Sequence, residues 1–239
     1  MLGILGKKVG MTHIYDENNR LVPCTVIEAG PCHVVQVKCK STDGYEAIQL
    51  AFGEKKDKHT NKPAAGHYKK AGVKSGKYMH EIRVVGAENY KPGQKIDTAI
   101  FAKGDYVDVT GTSIGRGFQG GVRRWGWKGG DAGHGSMFHR AVGSIQSGAR
   151  LNRVTKGHHL PGHMGADRVT MQNLEVLDVI IDQNLLVVKG SVPGHINCYL
   201  MVREARKMPK GFVKRKAAPI VSTKKSAKAH VSAAAKGKK

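Results

Sequence analysis

The sequence predicts a mostly β protein, a barrel or sandwich of short strands. Apolar, β-branched runs recur at short spacing, turn residues separate them, and hardly any stretch carries a sustained helical period. Residues 3–15 and 20–28 read as strands flanking Asp16-Glu17-Asn18-Asn19, a polar turn of hairpin type. Residues 32–40 are β-branched and partly alternating, and Ser41-Thr42-Asp43-Gly44 turns the chain into a strand at 45–52. A further strand is expected at 81–85. Pro92-Gly93 marks a turn before Ile100-Phe101, and 106–110 follows. Strands at 168–181 and 185–189, split by Asp182-Gln183-Asn184, lead to a last one at 199–203.

Three segments break this pattern. Residues 55–80 read as a surface insertion, with a short helix over 62–71 and Pro63 in its first turn. Residues 112–166 contain 14 glycines, Trp125, Trp127, Phe118, Phe138 and five histidines, without a sustained apolar period. Strands resume on both sides, so this is an excursion from the body, and a loop of that length is usually functional or disordered. Its aromatics argue against plain disorder. Each arm, about 27 residues, spans at most roughly 90 Å, against a radius of gyration near 15 Å for a compact body of about 150 residues. Residues 206–239 form a Lys/Ala-rich tail that buries too little apolar surface to fold alone. The expected organisation is a body over 1–111 and 167–205, an extended loop over 112–166 and the tail, disordered off its partner.

The charge follows the same division. The chain carries net +22. Residues 206–239 hold 12 Lys/Arg and no acid, 112–166 hold 8 and one acid (Asp131), and 55–80 hold 8 and one acid (Asp57). These contributions reach +26, so the other 124 residues carry −4. A faintly acidic body with cationic extensions is the pattern of a scaffold that binds nucleic acid. A membrane partner is not expected, because no apolar run is long enough to span a bilayer and the start reads as a strand rather than a secretory signal. A cytoplasmic protein follows. Cys24, Cys32, Cys39 and Cys198 show no Cys-x-x-Cys spacing and read as buried free thiols.

Gly115-Arg116-Gly117-Phe118-Gln119-Gly120 matches Gly-x-Gly-x-x-Gly, yet a dinucleotide site also needs a helix there and an acid about 20 positions on. Gly121–Gly130 is glycine-broken and a poor helix, and position 140 is Arg. RNA suits the stretch better. Glycines bring backbone close to phosphates, Arg116, Arg123, Arg124 and Lys128 supply charge, and Trp125, Trp127 and Phe118 supply stacking or wedging rings. Pro161 and Gly162 make His159 and His163 a poor helical metal pair, so neither a metal nor a cofactor is expected. No catalytic set is visible, and the protein reads as no enzyme. An architectural DNA-binding protein and a nucleotide-dependent enzyme are the alternatives from other classes.

The run from Phe101 through Asp108, Gly111-Thr112-Ser113-Ile114-Gly115-Arg116-Gly117, Gly120 and Arg124-Trp125 resembles the signature of the L-three family of large-ribosomal-subunit proteins, in its bacterial form. So do residues 3–12, His139-Arg140, Gly143-Ser144-Ile145, 162–165 and 185–194. The resemblance covers about residues 1–203. It implies a six-stranded β-barrel of the translation-protein type, with a small helical insertion, a long extended loop and a basic C-terminal tail. It further implies direct binding of large-subunit rRNA, early in assembly, in the cytoplasmic ribosome. The loop would reach toward the peptidyl transferase centre, and proteins of the L-thirteen, L-fourteen and L-nineteen families would pack nearby. The residues expected at rRNA are Arg116, Arg123, Arg124, Trp125, Trp127, Lys128, His139, Arg140, Gln146, Arg150, Arg153, Lys156, His158 and His159. Where relatives carry a Gly-Gln-Asn-Gln tip with a methylated last glutamine, this chain has Gln146-Ser147-Gly148-Ala149, so no such modification is expected at Ala149. His158 and His159 replace two lysines of the family pattern, and no family role carries over to the tail.

Overall fold

Strand alternation and turn chemistry set the element order. The computed structural model describes residues 3–16, 18–145 and 153–207. β1 (Gly3–Tyr15) and β2 (Leu21–Ala29) form the first hairpin, with a bulge between Lys8 and Gly10. β3 (Cys32–Lys38) runs through the one-turn helix α1 (Lys40–Asp43) into β4 (Ala47–Glu54), and Gly44 ends α1 in the left-handed region that glycine adopts without strain. α2 (Lys62–Ala71) carries Pro63 in its first turn and stops at Gly72. β5 (Gly76–Arg83) begins five residues before the strand read from Glu81, because its Lys and His residues hide the alternation of a half-buried edge strand. β6 (Lys95–Ile96) follows. Thr98–Ile100 is a 3-10 turn, so Ile100-Phe101 is not a strand. Then come β7 (Tyr106–Thr112), β8 (Gly117–Gln119), α3 (Gly121–Trp125), β9 (Gly162–Met164), β10 (Arg168–Ile180), β11 (Leu185–Lys189) and β12 (Tyr199–Glu204).

Six strands close a barrel in the order β1-β12-β7-β10-β11-β2, the mostly β, six-stranded architecture expected. Closure leaves no open edge along the paired stretches. The strands between residues 32 and 96 pair among themselves in a second sheet, β5-β4-β3-β6. Barrel and sheet share one apolar core. Ile4, Leu5, Ile27, Val107, Val109, Leu186 and Leu200 fill it from the barrel, and Ile48, Leu50, Phe52 and Ile82 from the sheet. Each such side chain contributes about 1.5–3 kcal/mol by leaving water. At the seam Tyr199 of β12 stacks on Tyr78 of β5 with ring centroids 4.9 Å apart.

Two buried charged residues pin the barrel, Lys8 near the end from which the excursion departs and Asp108 toward the other end of β7. Lys8 donates from Nζ to the carbonyls of Val192 and Gly194, both at 3.0 Å. Asp108, on β7, is 2% exposed and accepts from the backbone N–H of Asn173 at 3.0 Å and of Arg206 at 3.2 Å. It thereby holds the irregularity between Met171 and Leu174 in β10 and the point where the chain leaves β12. Of the four free cysteines, Cys24 and Cys32 are buried as expected. Cys39 and Cys198 are only half-buried, because each sits where a strand gives way to a turn.

Candidate nucleic-acid interface

Both arms of the 112–166 segment leave from neighbouring strands, since Thr112 of β7 pairs with Arg168 of β10. The root is a continuation of that ladder. Ser113 N–H donates to the Asp167 carbonyl at 2.8 Å, Asp167 N–H to Ser113 Oγ at 3.2 Å, and Arg116 N–H to the Met164 carbonyl at 2.8 Å. β8 then pairs with β9 from Gly117↔Met164 to Gln119↔Gly162. The Gly-x-Gly-x-x-Gly run therefore builds an antiparallel ribbon, not the turn before a crossover helix.

Beyond the ribbon the backbone winds into α3 despite its glycines, contrary to the expectation of a poor helix, and it lasts only five residues before Gly126 ends it. Contacts across the two arms explain why the turn forms. Arg124 Nη1 and Trp125 Nε1 both donate to the Leu160 carbonyl, at 2.8 and 2.9 Å. The Trp125 indole stacks on His159, centroids 4.1 Å apart, and the Arg124 guanidinium lies 5.0 Å from the Trp125 ring centre. Glycine at 162 leaves the seat of the Arg124 guanidinium open, which a Cβ would displace, and Gly121 likewise makes room for the Trp127 ring. Farther out, Gly130 N–H donates to the His139 carbonyl at 3.0 Å and His139 Nδ1 lies 2.9 Å from the Asp131 carbonyl. A groove of about 550 Å³ runs between the arms, walled by Trp127, Phe138 and Val142 and rimmed by Lys128, Ser144 and His158.

The segment has no core. Among its described residues only Gly121 is buried. Arg116, Arg123, Lys128, Arg140, Arg153 and Lys156 are exposed, as are His139 and His158. Arg124 and Trp127 are half-buried, and His159 and Trp125 each give one face to the other. Gln146, Ala149 and Arg150 lie outside the described residues. Among the described residues no salt bridge involves a cation of this segment. No group of three or more His, Cys, Asp or Glu side chains gathers in metal-binding geometry among them. Sequence reasoning named Phe118 as an exposed ring but missed Ile114 and Met137. Phe118 is 76% exposed, Met137 97% and Ile114 58%. The described part of the segment thus places large apolar side chains in water among cations that no carboxylate neutralises.

The family model described as Ribosomal protein L3 matches residues 53–180. The "Large ribosomal subunit protein uL3" of Corynebacterium jeikeium (strain K411) is 53% identical over 206 residues, 86% of this chain and 94% of that protein. The chain belongs to the ribosomal protein L3 family. Relatives of the same name from Pelotomaculum thermopropionicum and Syntrophotalea carbinolica are 52% and 48% identical, each over 86% of this chain and 97% and 99% of their own length. A ribosomal protein L3 chain is a structural ribosomal component rather than an enzyme. That accords with the sequence reading of the chain as no enzyme.

Proposed function

We propose that this chain is a structural constituent of the large ribosomal subunit in the cytoplasm, and that it binds large-subunit rRNA directly through residues 112–166. The observation that carries the reading is a 55-residue excursion, rooted on two paired barrel strands, whose described part buries only Gly121 and leaves its cations without carboxylate partners. Such a segment gains its missing burial and neutralisation from a folded polyanion. Arg116, Arg123, Lys128, Arg140, Arg150, Arg153 and Lys156 contact phosphates, with Gln146, His139 and His158 beside them. Trp125 is a wedge rather than a free platform, because His159 already covers one of its faces and Arg124 braces it. Trp127 and Phe138 wall a groove in which an unstacked base fits between apolar sides. Recognition is by charge and shape, with little sequence readout.

The family resemblance supports the finer reading. The protein joins the rRNA early in assembly, its loop tip approaches the peptidyl transferase centre, and proteins of the L13, L14 and L19 families are its neighbours. The test is sedimentation of the tagged full-length chain with large subunits, followed by a high-salt wash and hydroxyl-radical footprinting. Retention through the wash with protections near the catalytic centre is expected. Release at modest salt, or protections confined to the subunit surface, would overturn the reading.

A further inference from the structure

The helix α2 is docked by one face only. Tyr68 is buried against Val35 and Ala51, with Ala64 and Ala71 beside it. Tyr68 Oη donates to the Gly76 carbonyl at 3.4 Å, and His67 Nε2 lies 2.6 Å from Gln49 Oε1. With about 100° between successive residues, Lys62, Gly66 and Lys69 fall on the opposite face and Lys70 at its border. All three lysines are exposed.

Folding explains only part of this face. Lys69 and Lys70 occupy the last turn, where the helix dipole favours cations. Lys62 occupies the first turn, where the dipole disfavours one, and no acid stands there to offset it. Lys55, Lys56 and Lys58 add exposed charge just before the helix. The ion pair found here, Lys74 to Glu54 at 3.4 Å, joins side chains 83% and 81% exposed and contributes little. Gly66 is the second anomaly. Its backbone is not left-handed, and a Cβ there would meet nothing within 4 Å. The fold has no use for a glycine that costs a helix interior about 1 kcal/mol relative to alanine. A bare strip of helix between two lysines is what a sugar–phosphate backbone needs for close approach.

We propose that the Lys62–Gly66–Lys69 face of α2 is a second RNA-binding surface, gripping the backbone of an RNA segment distinct from the one the loop contacts. The proposal rests on the reading that RNA is the partner, and it adds a separate point of attachment. α2 is carried by the second sheet and the loop by the β7/β10 end of the barrel, while one shared core holds sheet and barrel together. One chain thus ties two RNA segments in a set relation.

The test measures binding of the full-length protein to protein-free large-subunit rRNA across a salt series, with hydroxyl-radical footprints. Each lost phosphate contact flattens the plot of log K against log salt by about 0.7–0.9. The triple variant Lys62→Gln, Lys69→Gln, Lys70→Gln is expected to flatten it by about 2. It should also erase protections that a loop triple, Arg116→Gln, Arg123→Gln, Arg153→Gln, leaves in place. Gly66→Leu enters open space with a better helix former, and should weaken binding at least threefold at unchanged charge. An unchanged slope in the helix triple beside a flattened one in the loop triple overturns this proposal alone, as does loss of the same protections in both. Salt-insensitive binding of the wild-type chain overturns the RNA reading together with it.

Discussion

Excising the outer part of the excursion should leave the body more stable, not less. Gln119 and Gly162 are directly paired across the β8–β9 ribbon, so an Asn-Gly turn between them closes a two-residue hairpin and removes residues 120–161. The cost in burial is small, since Gly121 is the one buried residue among those described in that stretch. The gain is entropic. Replacing a 42-residue loop by a two-residue one halves its length more than four times, and at about 0.6 kcal/mol per halving the body gains roughly 2–3 kcal/mol. Urea unfolding followed by far-ultraviolet circular dichroism reads this directly. The midpoint should rise with little change in slope, because the slope tracks surface exposed on unfolding and the segment hides little. In the same variant seven cations are gone, so the salt dependence of RNA binding should flatten by up to about 5. A midpoint that falls by the equivalent of 2 kcal/mol or more would refute the separation of body and excursion, and with it the claim that the loop waits for an external partner.

Three further outcomes follow. Asp108→Ala removes a buried carboxylate that accepts from the N–H groups of Asn173 and Arg206, and should cost about 1–3 kcal/mol in urea unfolding, whereas no measurable loss would show that water replaces the carboxylate. His80 has its pKa lowered, first by burial and then by the positive charges of Arg168 and Arg203, so it resists protonation when folded. Its contribution to stability is complete above the ordinary value of 6.5 and is lost as pH falls from there through the folded value. His80→Gln should therefore flatten the decline in melting temperature as pH falls below about 6.5, and an unaltered decline would assign it to other groups. Gly162→Ala should expel the Arg124 guanidinium from its seat on the Leu160 carbonyl and loosen Trp125, seen as a shift in tryptophan emission without loss of the barrel's circular dichroism. An unshifted spectrum would mean that the two arms are held together by other contacts.

Most barrel strands were legible because their apolar period and their turns agree. Residues 185–189 are strand throughout, as read, and β1, β2, β10 and β12 lie within a residue of expectation. The second sheet was not legible as a separate layer. Period 2 says that a strand has a buried face but not which sheet that face meets, and Val34 or Leu50 reads no differently from Val107 or Leu186. β5 was lost in part because an edge strand carrying Lys77, His80 and Glu81 looks like an exposed loop. At the interface, composition announced charge and rings but not their pairing. That His159 serves Trp125, and that Arg124 is held by Leu160, depends on two arms about 35 residues apart meeting in register, which no local pattern encodes.

The glycines of the excursion show how a segment without a core still holds a shape. Gly121 and Gly162 give up side chains so that Trp127 and Arg124 fit, and those two large side chains, with Trp125 and His159, replace a hydrophobic interior with a few stacked and bonded pairs. Such pairs contribute about 1 kcal/mol each, against a conformational cost of 1–2 kcal/mol for every backbone residue fixed. Internal contacts therefore suffice to steer the ribbon and α3, but not to immobilise the whole loop. The remainder has to come from neutralising its cations and covering Phe118, Ile114 and Met137. If RNA is the partner proposed above, order in the loop and binding are one thermodynamic event, so amide exchange in 120–145 should slow sharply only when RNA is present, while exchange in β7 and β10 stays as it was. Equal protection of the loop with and without RNA would contradict the coupling.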